Sequence, residues 1–366
     1  MISSIFISPK IRHNIFTFDE MFLLKIFLLP ISLLYGMVMW FRNKCFDLGF
    51  FKSQSFDVPI ISVGNISSGG TGKTPHVEYI IRLLNEFSSK GILSRGYGRK
   101  TKGFQSVFVD SKAMQVGDEP LQYAQKFQDV SIVVQEDRKR GIKKLIEEGA
   151  SIIVLDDAFQ HRWVHPGLNI LLTTYSNLYI DDFLLPVGKL REEKMSALRA
   201  DVIVVTKTPK ALLPLDKNRL AEQINPWPHQ QLYFSYYDYS HPVHVFTKEE
   251  VPLEEQQILL LTGIADAQSI KDYLMGKVEV VEHLEYKDHH PYSRKDVEKI
   301  IEEWEAVKSS KRLILTTEKD AVRLQEFKEE LQDVSICYLP VEVRFHEGEK
   351  FNDLVLSYVR ENTRNS

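Results

Sequence analysis

Cysteine is nearly absent: Cys45 and Cys337 are the only two in 366 residues. Two thiols so far apart form neither a disulfide framework nor a four-ligand zinc site, and a reducing cytosol suits them. Charge of one sign is also lacking. Lys and Arg number 46 against 50 Asp and Glu, for a net charge of -4, so no global basic field points to nucleic acid. No internal repeat and no long low-complexity segment interrupts the chain. At 43% hydrophobic and 26% charged, it has ordinary globular composition and enough length for two cores.

Long apolar runs are confined to one place. From Ile26 to Phe41 no residue is charged, with Lys25 before the run and Arg42 and Lys44 after it. The run is a little short of the ~20 residues that a membrane span needs. A signal peptide requires a small-residue cleavage site, and Phe41-Arg42-Asn43-Lys44 offers none. Three readings stay open: a short span, a helix lying in the interface, or a buried core helix. Trp40 and Tyr35 suit an interface, and Arg42 and Lys44 favour a cytoplasmic position for the downstream domain.

The richest segment is Ser62-Val63-Gly64-Asn65-Ile66-Ser67-Ser68-Gly69-Gly70-Thr71-Gly72-Lys73-Thr74-Pro75. An apolar strand-like run, Val58 to Val63, leads into it, and Val77, Ile80, Ile81 and Leu84 come after it at helical spacing. Strand, glycine loop and helix start make a phosphate cradle. Backbone N–H groups turn onto phosphate oxygens, and the positive end of the helix faces the same anion. The expected nucleotide contacts are Gly69, Gly70, Thr71, Gly72, Lys73 and Thr74, with Thr74 also on Mg²⁺. The strict pattern wants glycine where Ser67 stands; an ordinary glycine-rich turn is the alternative. A guanine-specific Asn-Lys-x-Asp is missing, so adenine is expected, and ATP with it.

Downstream, short apolar runs alternate with helical ones. Gly91–Ser94, Ser106–Val109, Val130–Val134, Ile152–Leu155, Asn169–Thr173 and Val202–Val205 read as strands, and Glu119–Phe127 and Lys139–Glu148 as helices. That alternation predicts an α/β fold, a P-loop NTPase-like parallel sheet with helices on both faces. Strands at Ile258–Leu261, Val278–Glu282, Leu313–Leu315 and Ile336–Leu339, with helices between, predict a second, smaller α/β domain. The expected division is an N-terminal membrane-associated segment 1–44, a P-loop core 45–230, a hairpin or extended connector 231–250, and the smaller domain 251–366, with a frayed tail after Arg360.

Candidate chemistry sits at strand ends. Asp156 and Asp157 close a buried strand and are expected on Mg²⁺ or its water; a helix cap or solvated turn is the bland reading. Asp118, in Gly117-Asp118-Glu119-Pro120, is either a cap or a base near the phosphates. Asp288-His289-His290 suits acid/base work, or is an exposed polar turn. Thr316-Thr317-Glu318-Lys319-Asp320 either contacts nucleotide or caps a helix. Arg95 and Arg99 lie in a flexible basic loop suited to an anionic group.

Together these segments resemble the tetraacyldisaccharide 4'-kinase family of lipid A biosynthesis. The likeness runs in order through the glycine loop, Ser94-Arg95-Gly96-Tyr97-Gly98-Arg99, Gly117-Asp118-Glu119-Pro120, Asp156-Asp157-Ala158-Phe159-Gln160-His161, Leu190-Arg191-Glu192, Asp288-His289-His290 and Thr317-Glu318-Lys319-Asp320. Ala158 replaces the usual Gly, and Gly188-Lys189 the more usual Gly-Pro. The resemblance implies transfer of the ATP γ-phosphoryl to the 4'-hydroxyl of a tetraacylated glucosamine disaccharide 1-phosphate, with Mg²⁺. It implies Asp118 as base, His289 as its partner and Lys73 on the phosphates, with substrate contacts from Arg95, Arg99, Gln160, His161 and Arg191. Since Asp118 and His289 fall on different units, their pairing requires the units to close. It further implies a membrane surface as partner, no nucleic acid, no obligate protein partner, and a place on the cytoplasmic face of the bacterial inner membrane, held by the N-terminal helix. A soluble P-loop enzyme acting on a small metabolite and a nucleotide-driven switch are the competing readings.

Overall fold

The structure, a computed structural model, describes residues 18–363, with side chains from Lys25 onward. Residues 1–17 of the expected N-terminal segment and 364–366 of the tail lie outside the described residues. A 30-residue helix, α1 (Phe18–Asp47), comes first. In chain order come β1 (Ile60–Gly64), α2 (Lys73–Leu83), β2 (Lys90–Ser94), β3 (Gln105–Ser106), α3 (Ala113–Val116), α4 (Asp118–Lys126) and β4 (Val130–Val134). Next are α5 (Arg138–Glu147), β5 (Ile152–Asp156), β6 (Leu168–Thr174), β7 (Val202–Thr206), α6 (Pro214–Ile224) and β8 (Gln231–Tyr239). The remainder comprises β9 (Val243–His244), β10 (Gln257–Thr262), α7 (Gln268–Leu274), β11 (Glu279–Glu285), α8 (Arg294–Ala306), β12 (Arg312–Thr317), α9 (Glu318–Leu324), β13 (Ile336–Leu339), β14 (Val341–Phe345) and α10 (Gly348–Thr363).

The strands form two sheets. The larger runs β14-β8-β7-β6-β1-β5-β2-β4-β3 and is parallel except where β3 and β14 pair antiparallel at its edges. Its inner strands β1, β2, β5 and β7 are buried throughout, as continuous apolar runs between two helical layers should be. β1 lies between β5 and β6, so its carboxyl end opens at the point where the winding reverses. The smaller sheet runs β11-β10-β12-β13-β9, with only β9 antiparallel.

Two boundaries differ from the sequence expectation. Gln231–Tyr239 is a strand of the larger sheet, parallel to β7, not a connector. Nor does the tail end of the chain stay with the smaller sheet. β14 pairs with β8, and α10 buries Phe351, Val355 and Val359 in the same core as Ile61 and Val63. The cause is apolar patterning: β8 would otherwise leave a long aromatic edge open, which a returning strand covers. Ser106–Val109 is strand only at Gln105–Ser106.

α1 is not a core helix. Phe27, Leu33, Met37, Val38 and Phe41 are all exposed, Leu33 at 62%. Lys25–Asp47 is long and apolar enough to cross a membrane by length and composition. A polar stripe of the helix is docked instead. Ser32 Oγ donates to the Leu184 carbonyl at 2.9 Å, and Tyr35 OH to the Arg191 carbonyl at 2.7 Å. Asn43 Nδ2 donates to Ser196 Oγ at 3.2 Å, and Arg162 bonds both the Asn43 carbonyl and Asp47. Gly36 permits the approach, since a Cβ there would lie 2.8 Å from Leu184 Cδ1.

Candidate active site

The loop between β1 and α2 carries its glycines where side chains fail. Gly69 and Gly72 have φ of 113° and 89°, in the left-handed region that favours glycine. A Cβ at Gly72 would also collide with Tyr237 Oη. Asn65 Nδ2 holds Thr71 Oγ1 at 2.7 Å, and Thr206 Oγ1 holds the Thr71 carbonyl at 2.9 Å. The loop is thereby fixed to β1 and β7. Lys73 and Thr74 open α2, at its positive end.

Asp156 and Asp157, at the end of the adjacent β5, have opposite environments. Lys73 Nζ lies 3.8 Å from Asp157 Oδ1, and Arg191 donates to both Asp157 oxygens at 2.9 and 3.3 Å. Burial opposes ionisation of Asp157, but Lys73 and Arg191 more than offset it and bring the carboxyl to about 2. Asp157 has φ of 47°, so its side chain leaves the strand end in a direction of its own. Asp156 accepts from Ser94 Oγ at 3.1 Å. Burial, then the charges of Glu119 and Asp157, push it to about 7. Excess negative charge of this kind is what a bound cation relieves. Among the described residues no three His, Cys, Asp or Glu side chains are grouped to hold a metal alone. That suits Mg²⁺, which takes one or two carboxylates together with phosphate oxygens and water.

Asp118 and His289 come from different units and meet. His289 Nδ1 lies 2.9 Å from Asp118 Oδ2, and donates, since a carboxylate can only accept. Asp118 is the first residue of α4, whose N-cap is Gly117, so it is no cap; Asp118 is 8% exposed. His289 sits at φ of 56° in the turn after β11, with its N–H on the Gly263 carbonyl at 3.2 Å. The ring of Tyr97 lies 5.0 Å from that of His289. Asp288 is only an outer neighbour of His289, at 3.8 Å, and His290 faces Asp296 instead. The two units also approach at the glycine loop. Lys207 pairs with Asp266 at 2.6 Å, and a Cβ at Gly70 would lie 3.7 Å from Ala265.

The expected substrate residues divide. Arg191 and Gln160 join the cluster, both donating to the Asn65 carbonyl, at 2.9 and 2.8 Å. Arg95 is exposed at the carboxyl end of β2. Arg99 differs from expectation. Its side chain is buried and spent on Glu136 at 2.6 Å and the Gly103 carbonyl at 2.7 Å, which folds the basic loop back on itself. His161 is apart from the glycine loop. It lines a cavity of about 520 Å³ with Ser62, Phe159, Arg162, Asn169 and Arg199.

Arg323 and Arg138 carry no signal in the sequence, and the pairings of Glu119, Lys319 and Glu192 are seen only in the fold. Glu119 pairs with Lys319 at 2.6 Å, and Arg323 Nε lies 2.9 Å from Asp118 Oδ2. Buried Arg138 reaches the Asp156 carbonyl at 3.3 Å. Thr317 does cap α9, accepting from the Asp320 N–H at 3.1 Å. The same cap aims Lys319 at Glu119, so the structure shows the cap reading of that segment. Glu192 is fully buried, bonded to Arg199 at 2.5 Å and Asn43 at 3.4 Å, and ties α1 to this end of the sheet.

The chain is similar to known proteins over most of its length. A family model described as tetraacyldisaccharide-1-P 4'-kinase matches residues 24–360. A curated tetraacyldisaccharide 4'-kinase of Phocaeicola vulgatus is 45% identical, over 93% of this chain and 96% of the relative. One of Bacteroides fragilis (strain YCH46) is 46% identical, over 92% and 94%. The crystal structure of LpxK from Aquifex aeolicus in complex with ATP superposes with a TM-score of 0.72 at 32% identity, covering 92% of this chain and 99% of that one. The chain belongs to the tetraacyldisaccharide-1-P 4'-kinase family.

Proposed function

We propose that this chain transfers the γ-phosphoryl of ATP to the 4'-hydroxyl of a tetraacyldisaccharide 1-phosphate, with Asp118 as the base. The observation that carries this reading is the Asp118–His289 contact of 2.9 Å, made across two units beside a phosphate loop. Phosphoryl transfer asks for positioning and charge neutralisation more than for covalent chemistry. Lys73 and the N–H groups of Gly69 to Gly72 hold the phosphates. Thr74, Asp156 and Asp157 would hold Mg²⁺, which neutralises phosphate charge when bound. Asp118 takes the hydroxyl proton as the sugar oxygen bonds to the γ-phosphorus. The bond from that phosphorus to the β–γ bridging oxygen breaks, and ADP leaves. His289 orients the carboxylate. Arg191 and Gln160, both on the Asn65 carbonyl, and the exposed Arg95 are the side chains we assign to the disaccharide.

The exposed side of α1 supports a membrane surface as the second partner. Ile26–Phe41 covers about 24 Å at ~1.5 Å per residue, short of a ~30 Å hydrocarbon core. Ser32 and Tyr35 are already docked on protein loops, and a span would carry those loops into lipid. A helix lying in the interface keeps both sets of contacts. A four-chain lipid leaves the bilayer poorly, so this posture brings the site to its substrate, on the cytoplasmic face where ATP is found.

The test is direct. Detergent-solubilised protein is incubated with γ-labelled ATP, Mg²⁺ and a tetraacyldisaccharide 1-phosphate. Label in the lipid, lost in Lys73→Ala, is the expected result. ATP turnover with unlabelled lipid would refute the assigned acceptor.

A further inference from the structure

Asp118 is gripped by two groups of the smaller unit. Besides His289, Arg323 of α9 places Nε 2.9 Å from Asp118 Oδ2, without hydrogen-bond alignment, so this contact is electrostatic. Both nitrogens meet the same oxygen, Oδ2; neither contact uses Oδ1. The rest of the guanidinium is equally committed. Nη1 donates to the His290 carbonyl at 3.2 Å and to Asp320 Oδ1 at 3.1 Å, and lies 3.4 Å from the Gly263 carbonyl. That Gly263 carbonyl also accepts the His289 N–H. One side chain, 6% exposed, therefore touches the base, the turn that carries His289 and the strand end that anchors that turn.

Arg323 is itself held in place. Asp320 is fully buried and accepts from Tyr292 OH at 2.9 Å, the Gly263 N–H at 2.9 Å and Thr317 Oγ1 at 2.6 Å. A Cβ at Gly263 would lie 2.7 Å from Asp320 Oδ1 and 3.2 Å from Arg323 Nη1, so only glycine leaves room for the pair. A buried arginine surrounded by such fixed partners has little freedom left to lose when substrate arrives.

We propose that Arg323 is a positioning residue for the transfer: it locks Asp118 and the His289 turn into one assembly, pinning Oδ2 so that Oδ1 receives the proton. The assignment rests on the reading of Asp118 as base. The groups facing Asp118 are His289, Arg323 and Lys319, with Glu119 next to it on α4 and Asp288 behind His289. Burial pushes the carboxyl up. The His289 bond, then the charges of Arg323, His289 and Lys319, bring it below its ordinary value. Removing the Arg323 charge raises it again. A base must be deprotonated, so the acid limb of the rate profile moves to higher pH.

Arg323→Gln keeps a donor for the carbonyls and removes the charge. We expect kcat to fall by about tenfold to a hundredfold through misplacement of the base, with KM for ATP unchanged and the acid limb displaced upward. Arg323→Lys should return the limb toward the wild-type position. In an Asp118→Asn background, Arg323→Gln should cost nothing more, since its target is gone. An unmoved acid limb in Arg323→Gln, or a full further loss in the double variant, would overturn the proposal. Near-normal turnover of Asp118→Asn alone would instead remove the base itself. Should Arg323→Gln fail to fold, Arg323→Lys decides. One nitrogen cannot reach Gly263, His290 and Asp118 together, so kcat drops with the limb in place, and a wild-type kcat refutes the role.

Discussion

At the scale of the residue, Gly72 shows how the site depends on single atoms. Its φ of 89° and the collision of any added methyl with Tyr237 Oη leave no room for alanine. Gly72→Ala should cost about 1–3 kcal/mol of stability and weaken ATP binding. Tyr237→Phe in the same chain should recover part of the loss, as melting with and without ATP would show. His76, buried one turn further on, bonds the Gly72 carbonyl at 2.7 Å and Ser235 Oγ at 2.9 Å. Burial brings it from 6.5 to about 4. The fold therefore prefers the neutral ring, while the unfolded chain binds a proton first. Its contribution is complete above pH 6.5 and is lost as pH falls toward 4. At ~1.4 kcal/mol per pH unit the loss reaches about 3 kcal/mol. His76→Gln should flatten the dependence of the melting temperature on pH across that window. Lys73 and Thr74 are legible in the sequence because they sit inside one continuous loop. Arg323, which meets Asp118 beside His289, is not. Arg323 comes some two hundred positions later, and only the packing of α9 on α4 brings them together. Arg99 misleads for the opposite reason: its partner Glu136 lies beyond the loop whose composition suggests an anion site.

At the scale of the element, the inner strands of both sheets are legible because each is a short, largely apolar run closed by turn residues. β8 and β14 are harder. Gln231–Tyr239 is rich in aromatics, with Gln231, Ser235 and Asp238 among them, and nothing local says which sheet it joins. β14 comes a single residue after β13 and crosses to the larger sheet, a change of partner without a sequence mark. α10 then packs Phe351 flat on Phe345 at 4.0 Å. α1 is legible as an apolar helix, but its docked stripe is not. Placing charge on the open side tests its posture. Leu33→Glu with Val38→Glu should move the protein from the membrane to the soluble fraction and leave its melting temperature unchanged, because both side chains are exposed. Retention on the membrane would show that another surface docks. A large drop in melting temperature would show instead that this side of α1 supports the fold.

At the scale of the whole molecule, two α/β units meet along α4 and α9, and the proposed transfer uses groups of both. Both helices bring first-turn residues to the site, Asp118 and Glu119 on one and Lys319 on the other. Behind those turns Lys126 bridges Glu78 at 2.7 Å and Glu318 at 2.6 Å, and Gln125 pairs with Gln325 at 2.8 Å. Glu318 is pushed to about 7 by burial, which the Lys126 charge only partly opposes. The seam thus combines paired polar groups with an apolar contact, Val322 of α9 lying in one cluster with Leu121 and Ala124 of α4. Glycine loop, carboxylates and Asp118, the proposed base, come from the larger unit; His289, which contacts Asp118, comes from the smaller. Transfer to a sugar hydroxyl should accordingly need both units, while nucleotide binding needs chiefly the first. Single-turnover transfer to the lipid by Asp118→Asn, alongside its ATP affinity, tests this most directly. The account predicts a rate lower by about a hundredfold or more with ATP affinity retained. A near-normal rate would contradict it, and another group would then have to take the hydroxyl proton.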